Sequence, residues 1–126
     1  MTTLDTSIKV EVKTEYIEQQ SSPEDHKYLF SYTITITNLG DKAAKLETRH
    51  WIITDANGKT SEVQGSGVVG ETPTIQPNAS YQYTSGTVLD TPLGFMHGTY
   101  GMVSESGEHF KAMINTFRLA TPGLLH

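Results

Sequence analysis

The chain has 126 residues, the size of one domain whose core can bury about two-thirds of the unfolded surface. Nine Lys and Arg residues against fourteen Asp and Glu residues give a formal net charge of -5, which argues against nonspecific binding to nucleic acid. The absence of cysteine excludes disulfides, thiolate catalysis and cysteine zinc sites, and fits a reducing compartment. The first twelve residues lack the charged start and apolar stretch typical of a signal peptide, and no apolar run approaches membrane-spanning length. We therefore expect one cytoplasmic domain over residues 1–126, with flexible ends at 1–6 and 120–126, and no membrane contact.

Apolar and polar residues alternate with a period of two in the first half of the chain, which is the pattern of half-buried strands. Residues 8–16 place Ile, Val and Tyr on one face and Lys and Glu on the other. Residues 28–37 alternate Phe, Tyr and Ile with Ser and Thr. Residues 44–55 form a third strand, and an Asn-Gly turn at 57–58 predicts that residues 59–64 return as its hairpin partner.

The second half of the chain predicts three further strands, at residues 79–85, 95–103 and 109–117. The last two can place their apolar residues on one face if they are joined by a three-residue loop, 105–107. This loop puts Gly107 where left-handed dihedral angles are needed. About seven short strands without a helix of useful length predict an all-β, antiparallel β-sandwich of immunoglobulin or fibronectin III type.

A glycine motif, G-x-G-x-x-G, is formed by Gly65, Gly67 and Gly70, with the spacing of a dinucleotide fingerprint. In such a fingerprint the glycine turn opens a helix whose N-terminal amides hold the pyrophosphate. Here two prolines follow within seven residues and exclude a continuing helix. The residue after the third glycine is a glutamate, which repels phosphate, and the nearest cation in sequence is Lys59.

Three interpretations of this glycine segment stay open. Its backbone amides could form a nest that binds an anion without a helix. The glycines could instead be structural, allowing a close backbone approach with Val68 and Val69 inside the core. The segment could also be displayed at one end of the sandwich as a protein-contact surface. The candidate ligand- or partner-binding residues are Gly65, Gly67, Val68, Val69 and Gly70.

The histidines and hydroxyl residues give no catalytic or metal constellation. Under the predicted register, His97 and His109 lie about 20 Å apart along the ladder and cannot share an ion. A metal bound by His50 and a loop carboxylate is left open, although a polar histidine on a strand face explains the residue as well. In a strand, His50 points away from its neighbours Arg49 and Trp51. Because no G-x-S-x-G elbow is present either, we expect no enzyme activity, no metal and no cofactor.

Five segments together resemble the ApaG family, in order and spacing, over nearly the whole chain. They are residues 50–58 (HWIITDANG), 63–73 (VQGSGVVGETP), 83–86 (YTSG), 91–100 (TPLGFMHGTY) and 117–119 (FRL). The glycine motif of the family falls on the three glycines named above. Two departures stand out: Gln64 replaces a Lys or Arg of many relatives, and Pro77-Asn78 replaces Pro-Gly. The first disfavours phosphate binding, whereas Asn tolerates the same turn as Gly.

The resemblance implies a fibronectin III-like sandwich, found in bacteria as a small protein often encoded near a diadenosine tetraphosphate hydrolase. Similar domains in F-box proteins and in a polymerase-interacting protein look like interaction modules. The bacterial members are linked genetically to cobalt resistance and magnesium efflux. We therefore expect a non-enzymatic module that binds another protein. The alternative is a pyrophosphate or nucleotide binder that uses the loop at 65–70, and a homodimer through a free sheet edge is a further expectation.

Overall fold

Two β-sheets face each other in this protein, and most of the described residues belong to strands. The computed structural model describes residues 3–4 and 7–123. Two short 3₁₀ turns, Glu18–Gln20 and Pro23–Asp25, lie between the second and third strands. The strands in chain order are β1 (Thr3–Leu4), β2 (Ile8–Tyr16), β3 (Tyr28–Asn38), β4 (Ala44–Asp55), β5 (Thr60–Ser66), β6 (Thr74–Ile75), β7 (Ser80–Leu89), β8 (Leu93–Ser104) and β9 (His109–Ala120).

The larger sheet has the order β1-β9-β8-β4-β5, with β6 pairing to the start of β4, and the smaller sheet has the order β2-β3-β7. Every pair is antiparallel except β1 with β9. The predicted all-β sandwich is confirmed, and seven of the strands are long. Its finer assignment to the immunoglobulin or fibronectin III type stays a prediction.

The register predicted for the last hairpin is observed over most of its length. Tyr100 pairs with Ala112, and Gly107 has the expected positive φ of 88°. The pairing shifts between Met96 and Gly98, where a bulge adds one residue to the ladder. Across this bulge the buried residues of β9 change from even numbers, such as Ile114, to the odd-numbered Leu119. The predicted register continued one alternation through the strand and therefore missed the bulge.

A second bulge, in β4 between Leu46 and Thr48, decides which residues face the core. Leu46 and Trp51 are both buried although a strict alternation would put them on opposite faces. Because the bulge inserts one residue, Trp51 and Arg49 share the inner face with Leu46. This is the local event that brings Arg49 to the inside of the sandwich.

The core lies between β3 and the central strands β4 and β8, around Trp51, which is only 2% exposed. Its ring contacts those of Tyr32, Tyr100 and Phe117 at centroid distances of 5.5, 6.3 and 5.8 Å. The hydroxyls of Tyr83 and Tyr100 hydrogen-bond each other across the two sheets. Burial raises the pKa of both phenols, so the pair stays neutral and suits an apolar interior.

The two ends of the chain are partly drawn into the larger sheet. Thr3–Leu4 pair with β9, and Ala120 is the last residue of β9. Residues 1–2, 5–6 and 124–126 of the predicted flexible ends lie outside the described residues, and the flexibility of the ends stays a prediction. Among residues 3–4 and 7–123, no helix has the length and apolar character required to span a membrane.

Candidate functional site

The glycine motif forms the end of β5 and a tight turn. Val68 and Glu71 form an isolated antiparallel bridge, and the two residues between them, Val69 and Gly70, have positive φ values of 49° and 78°. Positive φ at both central positions is the mark of a type I′ turn, in which a left-handed backbone reverses the chain. No helix follows the turn, as the prolines predicted. We call residues 65–71 the glycine turn.

Two of the amides proposed to bind an anion are already used within the fold. The Gly67 N–H donates to the carbonyl of Glu47 at 2.7 Å, and the Val68 N–H donates to the carbonyl of Glu71 at 2.8 Å. The N–H groups of Val69 and Gly70 donate to no other group in the described chain. Only these two neighbouring amides are available to a ligand, which is fewer than a phosphate nest offers.

Arg49 lies against the glycine turn and holds its backbone carbonyls. Its Nη1 atom donates to the carbonyls of Ser66 and Gly67, each at 3.0 Å. A Cβ atom at Gly65 would lie 2.9 Å from both terminal nitrogens of the guanidinium. Gly65 is therefore the residue that leaves room for the Arg49 side chain.

The two valines of the motif differ in burial. Val68 is fully buried, whereas Val69 is 62% exposed at the tip of the turn. The structural interpretation of the glycine segment, which places both valines in the core, is right for Val68 and wrong for Val69. The reason is the type I′ geometry, which turns the residue after Val68 away from the sandwich.

A cleft of about 380 Å³ lies between the glycine turn and β7. One wall carries Arg49, Ser66 and Val69, and the other carries Tyr83 and Ser85. No Asp or Glu side chain of the described residues lies within 4.0 Å of the Arg49 guanidinium. The cleft thus contains a half-buried cation whose only hydrogen-bond partners in the described chain are neutral carbonyls.

His50 points to the opposite side of the sheet from Arg49, as the strand alternation predicted. Its Nε2 atom lies 2.5 Å from Glu62 Oε2, and Gln64 donates to the same oxygen at 3.3 Å. Within residues 7–123, no three His, Cys, Asp or Glu side chains gather into a metal-binding group. The expected absence of a metal and the open His50 hypothesis both stay predictions.

The contact with His50 gives Glu62 a testable titration. The hydrogen bond from His50, followed by that from Gln64 and by the charge on His50, lowers the pKa of Glu62 below its ordinary value of 4.5. A lowered pKa in the folded state means that this carboxylate favours folding above its unfolded pKa, and that the contribution is lost as pH falls through the folded pKa. We expect the His50→Ala substitution to return the pKa of Glu62 toward 4.5.

Carbon-detected NMR titration of the Glu62 carboxyl measures this shift directly. Gln64→Ala is the matched control, and it should raise the pKa of Glu62 by less than His50→Ala does, because its hydrogen bond is longer. An unchanged Glu62 titration in His50→Ala would contradict the assignment of the contact.

Sequence reasoning named Lys59 as the nearest cation, but Arg49 is the cation that touches the glycine turn. In the observed hairpin, Arg49 pairs with Gly65, which lies just beyond the predicted partner strand of residues 59–64. The Nζ atom of Lys59 instead lies 3.8 Å from Asp90 Oδ2. Lys59 directly precedes β5, and Asp90 directly follows β7. The β4 bulge and this hairpin register together place Arg49 beside the glycine turn, and neither was predicted from the sequence.

Comparison with known proteins matches the ApaG domain, DUF525, over residues 18–104. The chain is 86% identical over its full length to Protein ApaG of Shewanella baltica, all of which it covers. A structural-genomics X-ray structure that is 86% identical has a TM-score of 0.92, with 97% of this chain and 92% of the other covered. The putative ApaA protein of Bordetella pertussis is 45% identical, with a TM-score of 0.90 and coverage of 92% and 94%.

The fold and the site define a small all-β sandwich domain. Its glycine turn lies beside the cleft next to β7, and Arg49 donates hydrogen bonds to the carbonyls of this turn. The chain belongs to the ApaG family. The resemblance seen in the sequence segments is thereby confirmed.

Proposed function

We propose that this protein is a non-enzymatic interaction module that binds a partner protein through the glycine turn. The observation that carries the proposal is Val69, an exposed β-branched residue held at a φ of 49°. Left-handed dihedral angles cost an L-residue roughly 1–2 kcal/mol, and a β-branched residue is a genuine outlier there. Strain at an exposed apolar residue supports a contact role, because strained backbone concentrates at ligand and switch sites.

The Val69→Asn substitution separates stability from binding. Asn tolerates the left-handed region, so we expect the free energy of unfolding to rise by about 1 kcal/mol while partner binding is lost. Urea denaturation of the unchanged protein and of Val69→Asn measures the change in the free energy of unfolding. Leu39→Asn is a control at another exposed apolar residue, and it should leave partner binding intact.

Site-specific photo-crosslinking in cells that express the protein tests the contact itself. A benzophenone amino acid at position 69 should yield a discrete protein adduct that is absent when the same group stands at position 39. The Val69→Asn chain should also fail to recover that protein. Identical adducts from both positions, or recovery of the adduct protein by Val69→Asn, would overturn the proposal.

The guanidinium of Arg49, which has no carboxylate partner in the described chain, favours a second candidate function, the binding of pyrophosphate or a nucleotide. In the cleft, Arg49 and the free N–H groups of Val69 and Gly70 would supply the donors. A tight ligand raises the melting temperature by mass action, so pyrophosphate at millimolar concentration should raise it in the unchanged chain and not in Arg49→Gln. No rise in the unchanged chain removes this candidate. The leading proposal of an interaction module also includes two further expectations. One is a cytoplasmic location, which the composition favours. The other is a link to cobalt and magnesium handling, which the family resemblance implies.

A further inference from the structure

The β7 strand has one free edge, and the hydrogen bonds of its neighbour show which backbone groups line that edge. Asn38 N–H donates to the carbonyl of Ala79 at 3.0 Å, which fixes the alternation of the β3–β7 ladder. By this alternation, the odd-numbered residues of β7 bond to β3. The N–H and C=O groups of Gln82, Thr84 and Gly86 therefore point away from β3, and no strand of the described chain pairs with them.

This edge lacks the features that usually keep sheet edges from pairing. Natural edges carry Lys, Pro, bulges or covering segments. The ten residues of β7 contain no charge, no proline and no register shift against β3. By contrast, the free edge strand β2 carries four charged residues, and the edge of β9 is paired with β1. The edge strand β5 of the larger sheet carries one charged residue, Glu62, whereas β7 carries none, so the β7 edge is the one best suited to accept another strand.

The space beside this edge opens into the interior of the sandwich. Val63 of β5 pairs with the buried Trp51 and so faces inward, yet it is 40% exposed because the smaller sheet ends at β7. A second cavity, of about 150 Å³, lies between β5 and Leu89 toward the end of β7. An added strand would place alternate side chains over this groove, where apolar residues would cover Val63.

Arg49 sets the charge that such a strand should carry. Arg49 lines the same part of the groove as Tyr83 and Ser85, and it has no carboxylate partner in the described chain. A guanidinium with free donors in a half-buried cleft pairs best with a carboxylate, which accepts charge-assisted hydrogen bonds. The complementary side chain is an aspartate or glutamate.

We propose that the open side of the sandwich, between β5 and β7, receives an extended segment of the partner protein, which pairs with β7 and directs one carboxylate to Arg49. This inference rests on the proposed function of an interaction module, and it names the form of the partner. Main-chain hydrogen bonds to the β7 edge supply affinity, and the groove with Arg49 supplies specificity.

A library of random twelve-residue peptides displayed on phage, selected against the full chain, provides the probe. We expect selected peptides to alternate apolar residues and to carry one Asp or Glu at a fixed position. On binding a synthetic copy, the amides of Gln82, Thr84 and Gly86 should gain at least tenfold protection from hydrogen exchange. This measurement uses the unchanged chain and needs no variant to fold.

Variants then test the two parts of the contact. Thr84→Pro removes an edge donor and should weaken peptide binding at least tenfold, whereas Thr14→Pro, at the corresponding edge of β2, should not change it. Arg49→Gln should weaken binding about tenfold, and replacing the peptide carboxylate with an amide should have no further effect in that variant.

Three results would overturn the inference: no peptide is selected, selected peptides leave these amides unprotected, or the free chain is a dimer that already protects them. The third result would make a second copy of this chain the occupant. If Val69→Asn abolishes partner binding but Thr84→Pro does not, strand addition fails while the proposed function stands. The reverse pattern removes the glycine turn as the contact and keeps the edge.

Discussion

The Gly67→Ala substitution should lower the free energy of unfolding by about 3 kcal/mol, because two costs act at one position. Gly67 has a φ of 64°, where an L-side chain is strained. A Cβ atom there would also lie 2.3 Å from the backbone oxygen of Glu71, which accepts the Val68 hydrogen bond. The backbone must move to relieve this overlap, so the turn opens and Arg49 loses a carbonyl partner.

Gly70→Ala is the matched control, since Gly70 has a similar φ of 78° but no heavy atom within 4 Å of its Cβ position. It should cost only the dihedral strain, about 1 kcal/mol. Urea denaturation of the three chains measures the difference. If both alanines cost the same, the close approach at Gly67 is not what holds the turn.

Asn38→Ala should cost about 3 kcal/mol, because Asn38 is a buried polar residue that joins three segments of chain. Its side-chain nitrogen donates to the carbonyls of Lys42 and Ile75 at 2.8 and 2.9 Å, and its oxygen accepts from Gly40 N–H at 2.9 Å. Removing the amide leaves these groups without a partner where water has little access. The loss should also release β6, which contains Ile75, from the end of β3.

Asn115→Ala is the matched control, because Asn115 is an asparagine at an exposed position of β9. It should change the free energy of unfolding by less than about 0.5 kcal/mol. Faster hydrogen exchange at β6 in Asn38→Ala, but not in Asn115→Ala, would place the loss at this junction. Equal stability of the two variants would show that water replaces the buried hydrogen bonds.

The glycine motif has the spacing of a nucleotide-binding fingerprint, but in this protein the packing of the chain explains that spacing. Gly65 accommodates Arg49, Gly67 passes close to Glu71, and Gly70 completes a left-handed turn. Three separate packing requirements thus generate the spacing of a nucleotide fingerprint. The pyrophosphate hypothesis now depends on Arg49 and two free amides rather than on a row of glycine amides.

Strand positions followed from the sequence where runs of β-branched and aromatic residues are bounded by turn residues. Residues 44–55 were predicted with the observed bounds, and β2 and β3 were predicted closely. The strand predicted at 79–85 was too short, because it stopped before Gly86, a residue type depleted in strands, whereas pairing with β3 continues to Leu89. Pairing between strands is a tertiary interaction, so the strand propensity of individual residues does not predict it.

By itself, the sequence determined the sandwich, a hairpin between residues 44–55 and 59–64, and the absence of a helix after the glycine turn. These follow from alternation, turn residues and proline, which act over a few neighbouring positions. Only the tertiary structure decided that Val69 is exposed, that Arg49 faces a cleft without a carboxylate partner in the described chain, and that β7 has a free edge. Bulges and sheet order decide these features, because they depend on which strands meet in space and not on the residues of any one strand.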